Sequence, residues 1–330
     1  MSKIEKNKSV IDSQNLDFLK RYLATKPKMI VLAHANPDGD TLGGALGIYL
    51  GFKNQGYDID IACIDKIPDK YQFLSGVHEI QTDFNQQAYE AVIFVDCGNK
   101  KMVKFQETKP RIHSDDMVKI NIDHHASNDH FGEINFVPLQ VCASTEVVFR
   151  LLQHLNMKVT PQIATALLLG VYTDTGSFMH QNTTPQSYLV GAELLKLGAN
   201  VTQISRNVFR NYEFKTFKLW GKVLEKLHVT EEGAAIVGIE KKDYESIGAK
   251  RSDLEGVIDY INSMSEVQYA VMLSEDEKGN VKASLRTRRK DTDVKALAEK
   301  FGGGGHVKAS GFTIPKGHLK KEVKWKIVQN

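Results

Sequence analysis

Met29-Ile30-Val31-Leu32-Ala33-His34-Ala35-Asn36-Pro37-Asp38-Gly39-Asp40 is the stretch on which the reading of this chain turns. Five apolar residues run into an imidazole, Asn36-Pro37 marks a turn, and two carboxylates precede a helix-like segment, 41–53, that carries Gly43, Gly44 and Gly47. A buried strand that feeds a helix through a short polar loop is half of a βαβ unit. Alternate residues of an extended loop point apart, so one imidazole and two carboxylates this close can face two different cations. The plainer reading of Asp40 is a helix N-cap.

Outward from that loop the same arrangement recurs. Ala91 to Val95 is an apolar run ending at Asp96, and Val118 to Ile122 ends at Asp123. With helix-like segments between them, these runs predict an α/β protein whose N-terminal domain, residues 16–200, is a doubly wound, mainly parallel sheet. Ligands of such sheets bind beyond the carboxyl ends of the strands, where each run delivers a metal-competent side chain. Helical patterning extends from Ser144 to about His228, broken at 181–185. Past Glu231-Glu232-Gly233 strands are expected at 234–239, 267–273 and 281–285, with helices near 252–262 and 293–301. We therefore divide the chain into 16–200, a helical linker at 201–230 ending in a helix over 213–227, and a smaller C-terminal α/β domain at 231–330.

Charge is uneven. From Lys278 to Asn330 there are 14 Lys/Arg against 4 Asp/Glu, a local net of +10 in a chain whose overall net is +3. That end suits phosphate, although a solvated basic face has the same signature. Residues 1–16 lack the apolar core of a signal peptide, and the longest uncharged stretch, 159–173, has 15 residues, short of the ~20 that span a bilayer. A cytoplasmic protein without membrane contact is expected. Cys63, Cys97 and Cys142 have no zinc or disulfide spacing and read as buried thiols.

Asp123-His124-His125 and Thr173-Asp174-Thr175-Gly176 add to His34, Asp38, Asp40 and Asp96. Carboxylates crowded at one sheet edge repel and resist desolvation unless a cation neutralises them. A mixed carboxylate and imidazole set without cysteine suits Mn2+ or a similar divalent ion rather than structural zinc.

In that order, His34 to Asp40, Asp96, Asp123-His124-His125 with Ala126-Ser127-Asn128, and Thr173 to Phe178 resemble the four motifs of DHH phosphoesterases. Gly302-Gly303-Gly304-Gly305-His306 with Ala309-Ser310-Gly311-Phe312 resembles the hallmark of the associated DHHA1 domain. Within the family, the compact length and Pro68 to Gly76 are most similar to the nanoRNase/pAp phosphatase group. The resemblance implies two Mn2+, one held by His34, Asp38 and Asp96, the other by Asp40, Asp96, His124 and Asp174, with Asp96 bridging. It implies that His125 faces the scissile phosphate or leaving oxygen and that Asp123 orients an imidazole.

Ser284, Arg286, Gly303, Gly304, Gly305 and His306 would hold substrate: the glycines let backbone approach phosphate, and Arg286 can grip it with two parallel hydrogen bonds. Arg288, Arg289 and Lys290 read as surface charge. The expected partners are short RNA or DNA oligonucleotides, dinucleotides and pAp, and a homodimer is compatible with the sequence. The alternatives are a pApA- or pGpG-specific phosphodiesterase and a non-catalytic nucleic-acid-binding relative; filled ligand and catalytic positions argue against the latter. Relatives often carry an arginine after the equivalent of Asp96, where this chain has Lys100-Lys101, and an aromatic or basic residue where it has Met179-His180.

Overall fold

Unbroken apolar runs suit strands covered on both faces, and β1 (Met29–Ala33) and β3 (Ala91–Val95) are buried at every position. In the computed structural model, which describes residues 10–209 and 212–320, they join β2 (Ile59–Ala62), β4 (Val118–Ile122) and β5 (Ile134–Phe136) in one sheet. Its order is β2-β1-β3-β4-β5 and every neighbouring pair is parallel, with Met29 opposite Ile59 and Ala91, and Ala91 opposite Val118. The chain runs outward from β1 to β2, then returns past β1 to start β3. That reversal opens a crevice at the carboxyl ends of β1 and β3, the two strands that end at His34 and Asp96.

The two sheet faces are covered differently. Met29, Val31 and Ala33 lie in a core with the helices Gly39–Lys53, Ser144–His154 and Pro161–Asp174, whereas Ile30, Leu32, Val92 and Phe94 pack on Phe84, Phe105 and Ile112. Those last three belong to a stretch with short 3-10 turns, Gln86–Ala88 and Pro110–His113, in place of a long helix. On the helical side, Gly39, Gly43, Gly47 and Gly51 recur every fourth residue and so form one stripe along their helix. A Cβ at Gly43 would stand 2.2 Å from the carbonyl oxygen of Ala166 in helix Pro161–Asp174. Only a bare backbone permits that approach.

The second compact unit, Tyr212–Asn330, follows Met1–Asn211. Its sheet, β10-β11-β9-β8-β7-β6, comprises β6 (His228–Val229), β7 (Ala234–Ile239), β8 (Tyr269–Glu275), β9 (Val281–Arg286), β10 (Gly304–His306) and β11 (Ala309–Ile314), antiparallel except between β7 and β8. Ala283 and Leu285 cluster with Val294 and Ala298 of helix Val294–Glu299, while Ala270 and Met272 meet Val257, Ile258 and Ile261 of helix Val257–Asn262. The helix expected near 252–262 is split: Gly256, at φ +90°, separates a 3-10 turn, Arg251–Leu254, from helix Val257–Asn262. Helix Phe214–Lys226, read from sequence as the end of a linker, gives Leu219, Trp220 and Val223 to this unit's core. Positions 1–9 of the charged N-terminal segment and 321–330 of the basic run lie outside the described residues.

Candidate active site

His34 leaves β1 with its Nδ1 2.8 Å from the carbonyl oxygen of Ala35. In the neutral ring that contact places the proton on Nδ1 and leaves Nε2 its lone pair. Nε2 stands 3.5 Å from Asp96 Oδ2 and 3.9 Å from Asp38 Oδ1. Asp38 is also the N-cap of helix Gly39–Lys53, accepting from the amides of Asp40 and Thr41 at 3.0 Å each. Asp40, the residue that the sequence offered as a cap, lies inside the first turn.

Asp96 follows β3 in a left-handed conformation, φ +59°, uncommon for a residue with a Cβ. Its Oδ1 lies 3.8 Å from His124 Nε2 and accepts a hydrogen bond from Ser144 Oγ at 2.9 Å. His124 Nε2 is also 3.9 Å from Asp40 Oδ2 and 3.9 Å from Asp174 Oδ2. Asp96 therefore turns one oxygen toward His34 and the other toward His124.

Donors about 2.1 Å from a small octahedral ion are roughly 3.0 Å apart when adjacent and 4.2 Å when opposite. The separations of 3.5 to 3.9 Å fall in that window, and most exceed hydrogen-bonding distance. The residues thus fit divalent cations. Among the described residues two compact donor groups are present, His34-Asp38-Asp96 and Asp96-Asp123-His124-His125. The first coincides with one ligand set expected from sequence. In the second, Asp123 and His125 stand where Asp40 and Asp174 were expected, the latter two meeting His124 individually. Asp123 is already engaged: Oδ1 accepts from His125 Nδ1 at 2.8 Å and Oδ2 from Asn128 Nδ2 at 2.6 Å. We therefore read Asp123 as holding His125 in place.

Electrostatics point the same way. Burial, then the charges of Asp96 and Asp38, push the Asp40 carboxyl well above its ordinary range. Asp174 is raised to about 7 by burial and Asp40. Burial alone would lower His34, but the Asp96 contact and the charge of Asp38 outweigh it and hold the ring at about 9. Asp123 and the other carboxylates nearby lift His125 to about 9 as well, against burial. Asp96, despite its burial, is held below the usual carboxylate range by His34, His124 and His125. A metal-free site retains protons that a cation would displace.

Sequence reasoning missed the residues behind these ligands. The first turn of helix Ser144–His154 closes over Asp40: the amides of Ser144 and Thr145 donate at 2.7 and 3.0 Å, and Thr145 Oγ1 at 2.7 Å. Asn182 Nδ2 donates to Asp174 Oδ2 at 3.0 Å. A hydroxyl pair opening a helix was visible at Ser144-Thr145, but its partner was not.

In the second unit, Arg286 of β9 pairs with Ala309 of β11, which pairs with His306 of β10; Ser284, Gly311 and Gly304 are aligned likewise. Directly paired residues share a face, so Ser284, Arg286 and His306 lie on one side of the sheet. The Arg286 guanidinium lies 3.5 Å from Asp259 and donates through Nη1 to its neighbour's carbonyl, Leu285, at 3.0 Å. The glycine run is a strand edge rather than an open loop. A Cβ at Gly303 would meet Gly311 O at 2.2 Å and one at Gly305 would meet Ala309 O at 2.7 Å, whereas Gly304 has no atom within 4 Å of that position. Arg289, expected as surface charge, donates to the carbonyls of Ser265 (2.6 Å) and Val267 (3.4 Å).

Residues 28–171 match the model of the DHH family, N-terminal domain, and residues 234–329 that of the DHHA1 domain. A Thermus thermophilus protein named bifunctional oligoribonuclease and PAP phosphatase NrnA is 30% identical over 88% of this chain and 85% of its own. One of the same name from Bacillus subtilis is 23% identical over 90% and 92%. The crystal structure of an exopolyphosphatase-related protein from Bacteroides fragilis aligns with a TM-score of 0.84 at 25% identity, covering 94% of this chain and 92% of that one. No helix among the described residues is long and apolar enough to cross a membrane.

Proposed function

The chain belongs to the DHH family, and from that premise we propose that it is a Mn2+-dependent phosphodiesterase that hydrolyses very short oligonucleotides and removes the 3′-phosphate of pAp. The observation that carries this reading is the sharing of Asp96 between His34-Asp38 on one side and His124, Asp40 and Asp174 on the other. The printed names of the Thermus and Bacillus relatives support the substrate class.

In this reading His34, Asp38 and Asp96 would hold one ion, and Asp40, Asp96, His124 and Asp174 the other. When bound, such a pair lowers the pKa of a water, polarises the phosphoryl oxygens and neutralises charge in the transition state. The protein's own groups do the rest. The Ala35 carbonyl and the Ser144 hydroxyl fix the orientation of His34 and Asp96, so the donor spacing exists before an ion arrives. Asp123 occupies Nδ1 of His125, leaving Nε2 to donate to the scissile phosphate or the leaving oxygen. Ser284, Arg286 and the edge from Gly303 to His306 engage the remaining phosphate, with Gly304 giving the closest backbone approach.

The test is a panel of pAp, pApA, pGpG, a five-mer and a 24-mer RNA on protein stripped of metal and then reloaded. Turnover should vanish on stripping and return with Mn2+, and short substrates should outrun the 24-mer. Full turnover with verified nil metal would overturn the two-ion reading. Turnover confined to pApA or pGpG would replace it with a dedicated linear-dinucleotide phosphodiesterase, and binding without turnover under every metal would leave a nucleic-acid-binding relative.

A further inference from the structure

We propose that Lys308 is a positioning residue for the substrate face of the second unit, an inference that rests on the reading of Arg286 and His306 as substrate-holding groups. Lys308 sits in the turn between β10 and β11. Its ammonium meets three backbone carbonyls of one loop, those of Arg289, Lys290 (3.2 Å) and Thr292 (3.0 Å). An ammonium has three N–H donors and no acceptor. Each donor here has a carbonyl.

The loop so gathered begins three residues after Arg286, and the turn that carries the lysine begins directly after His306. The backbone repeats the attachment: the Thr287 amide donates to Lys308 O at 3.0 Å and the Val294 amide to Val307 O at 3.0 Å. Ser310 Oγ adds a bond to Val294 O at 2.6 Å. Arg286, Ala309 and His306 stand abreast across the three strands. Lys308 thus joins the segment leaving Arg286 to the turn leaving His306, and sets how those two side chains are presented to one ligand.

Carbonyl dipoles whose negative ends converge repel one another and need a donor or cation between them. Without the ammonium these three carbonyls lose their shared donor, and the part of loop 289–292 between the Arg289 and Val294 anchors should loosen. The apolar layer beneath, Ala283, Leu285, Val294 and Ala298, does not depend on Lys308, so the sheet should survive while its presenting edge loosens. Binding of a short substrate should suffer, and the bond-breaking step at the other unit's ligands should not.

The experiment is steady-state kinetics on pApA with the full-length, Mn2+-loaded protein and Lys308→Ala. KM should rise about tenfold, the scale of one lost charge-assisted hydrogen bond, with kcat within about twofold of wild type. Propylammonium, which replaces the deleted atoms from Cγ to Nζ, should bring KM back, whereas tetramethylammonium at equal concentration, having no N–H, should not. Amide exchange at Thr287 and Val294 should quicken in the variant and slow again with propylammonium. An unchanged KM, or a rise that neither cation alters while exchange stays normal, overturns the proposal. If Lys308→Ala does not fold, Lys308→Gln must show a smaller KM rise in the same direction, and wild-type KM there overturns it too. If wild type leaves pApA intact, or Arg286→Ala and His306→Ala leave KM unchanged, the functional reading fails on its own; exchange at Thr287 and Val294 then still decides whether Lys308 clamps the loop.

Discussion

Replacing Gly43 by alanine sets two effects of known sign against each other. Alanine gains about 1 kcal/mol over glycine inside a helix. Its Cβ would lie 2.2 Å from the Ala166 carbonyl oxygen, where a comfortable C···O contact is roughly 3.3 Å. That oxygen is backbone and cannot swing aside, so the helices must part by about 1 Å, with a packing penalty of about 1–3 kcal/mol. The loss should win by about 1 kcal/mol, lowering Tm by a few degrees.

The displacement also reaches the site. Asp40 is one turn before Gly43, and Asp174 ends the helix that carries Ala166. The two carboxylates that flank His124, each at 3.9 Å, would be drawn apart, and Mn2+ affinity should fall about 10- to 100-fold. Gly47→Ala is the control. Its nearest obstacle is Leu167 Cδ2 at 2.6 Å, the end of a side chain that can rotate, so stability should hold or rise slightly and affinity should stay. Thermal unfolding and calorimetric Mn2+ titration of both variants decide the matter. Equal behaviour of the two, or a destabilised Gly43→Ala with wild-type affinity, would refute the argument from close helix approach.

The imidazoles of His34 and His125, at about 9 in the metal-free fold against an ordinary 6.5, stabilise that fold fully below pH 6.5, and their contribution is lost as pH rises to 9. Tm of chelated protein should therefore fall across this window, while Mn2+ uptake should release protons, seen as a calorimetric heat that varies with buffer ionisation enthalpy. A flat Tm profile and a buffer-independent heat would contradict these assignments. Asp96→Gly should abolish Mn2+ binding and, above about pH 9 where the His34 contribution is already lost, leave metal-free protein about as stable, because glycine relieves a left-handed backbone that costs ~1–2 kcal/mol; a large drop in metal-free Tm at that pH would show that the carboxylate is needed for folding. Arg286→Ala should raise KM for dinucleotides and pAp far more than for bis-p-nitrophenyl phosphate, which has no second phosphate to grip, and equal losses would place Arg286 at the scissile phosphate.

What could be read from the sequence was set by distance along the chain. Runs such as Ala91 to Val95 announce themselves as strands because five consecutive apolar residues suit only a surface buried on both sides, and the polar residue after each run marks the functional edge. The contacts of Asp40 with Ser144 and Thr145 were invisible because 104 and 105 residues separate the partners, and a hydroxyl pair at a helix start looks the same with or without a carboxylate before it. Helix Phe214–Lys226 was taken for a connector because its apolar stripe does not reveal which sheet it covers. The four glycines were read as freeing backbone to approach phosphate; that Gly303 and Gly305 are also needed for β10 to lie against β11 is a packing demand with no local signature.

The order in which the ligands leave the ribosome has a consequence of its own. Of the proposed ligands, His34, Asp38 and Asp40 come from one loop, Asp96, His124 and Asp174 from three later segments, and the last arrives only at the end of helix Pro161–Asp174. A nascent chain with every strand of the first sheet but not this helix has an incomplete set, and its parallel strands, paired across long separations, are slow to form and exposed meanwhile. The second ion of the proposed pair therefore cannot be held by such half-finished intermediates. A full set of contacts exists only in the completed first unit, where ligand at a hundred times Kd adds about 2.7 kcal/mol to the folded state, so metal availability during synthesis should govern how much newly made protein escapes proteolysis rather than how fast its strands assemble.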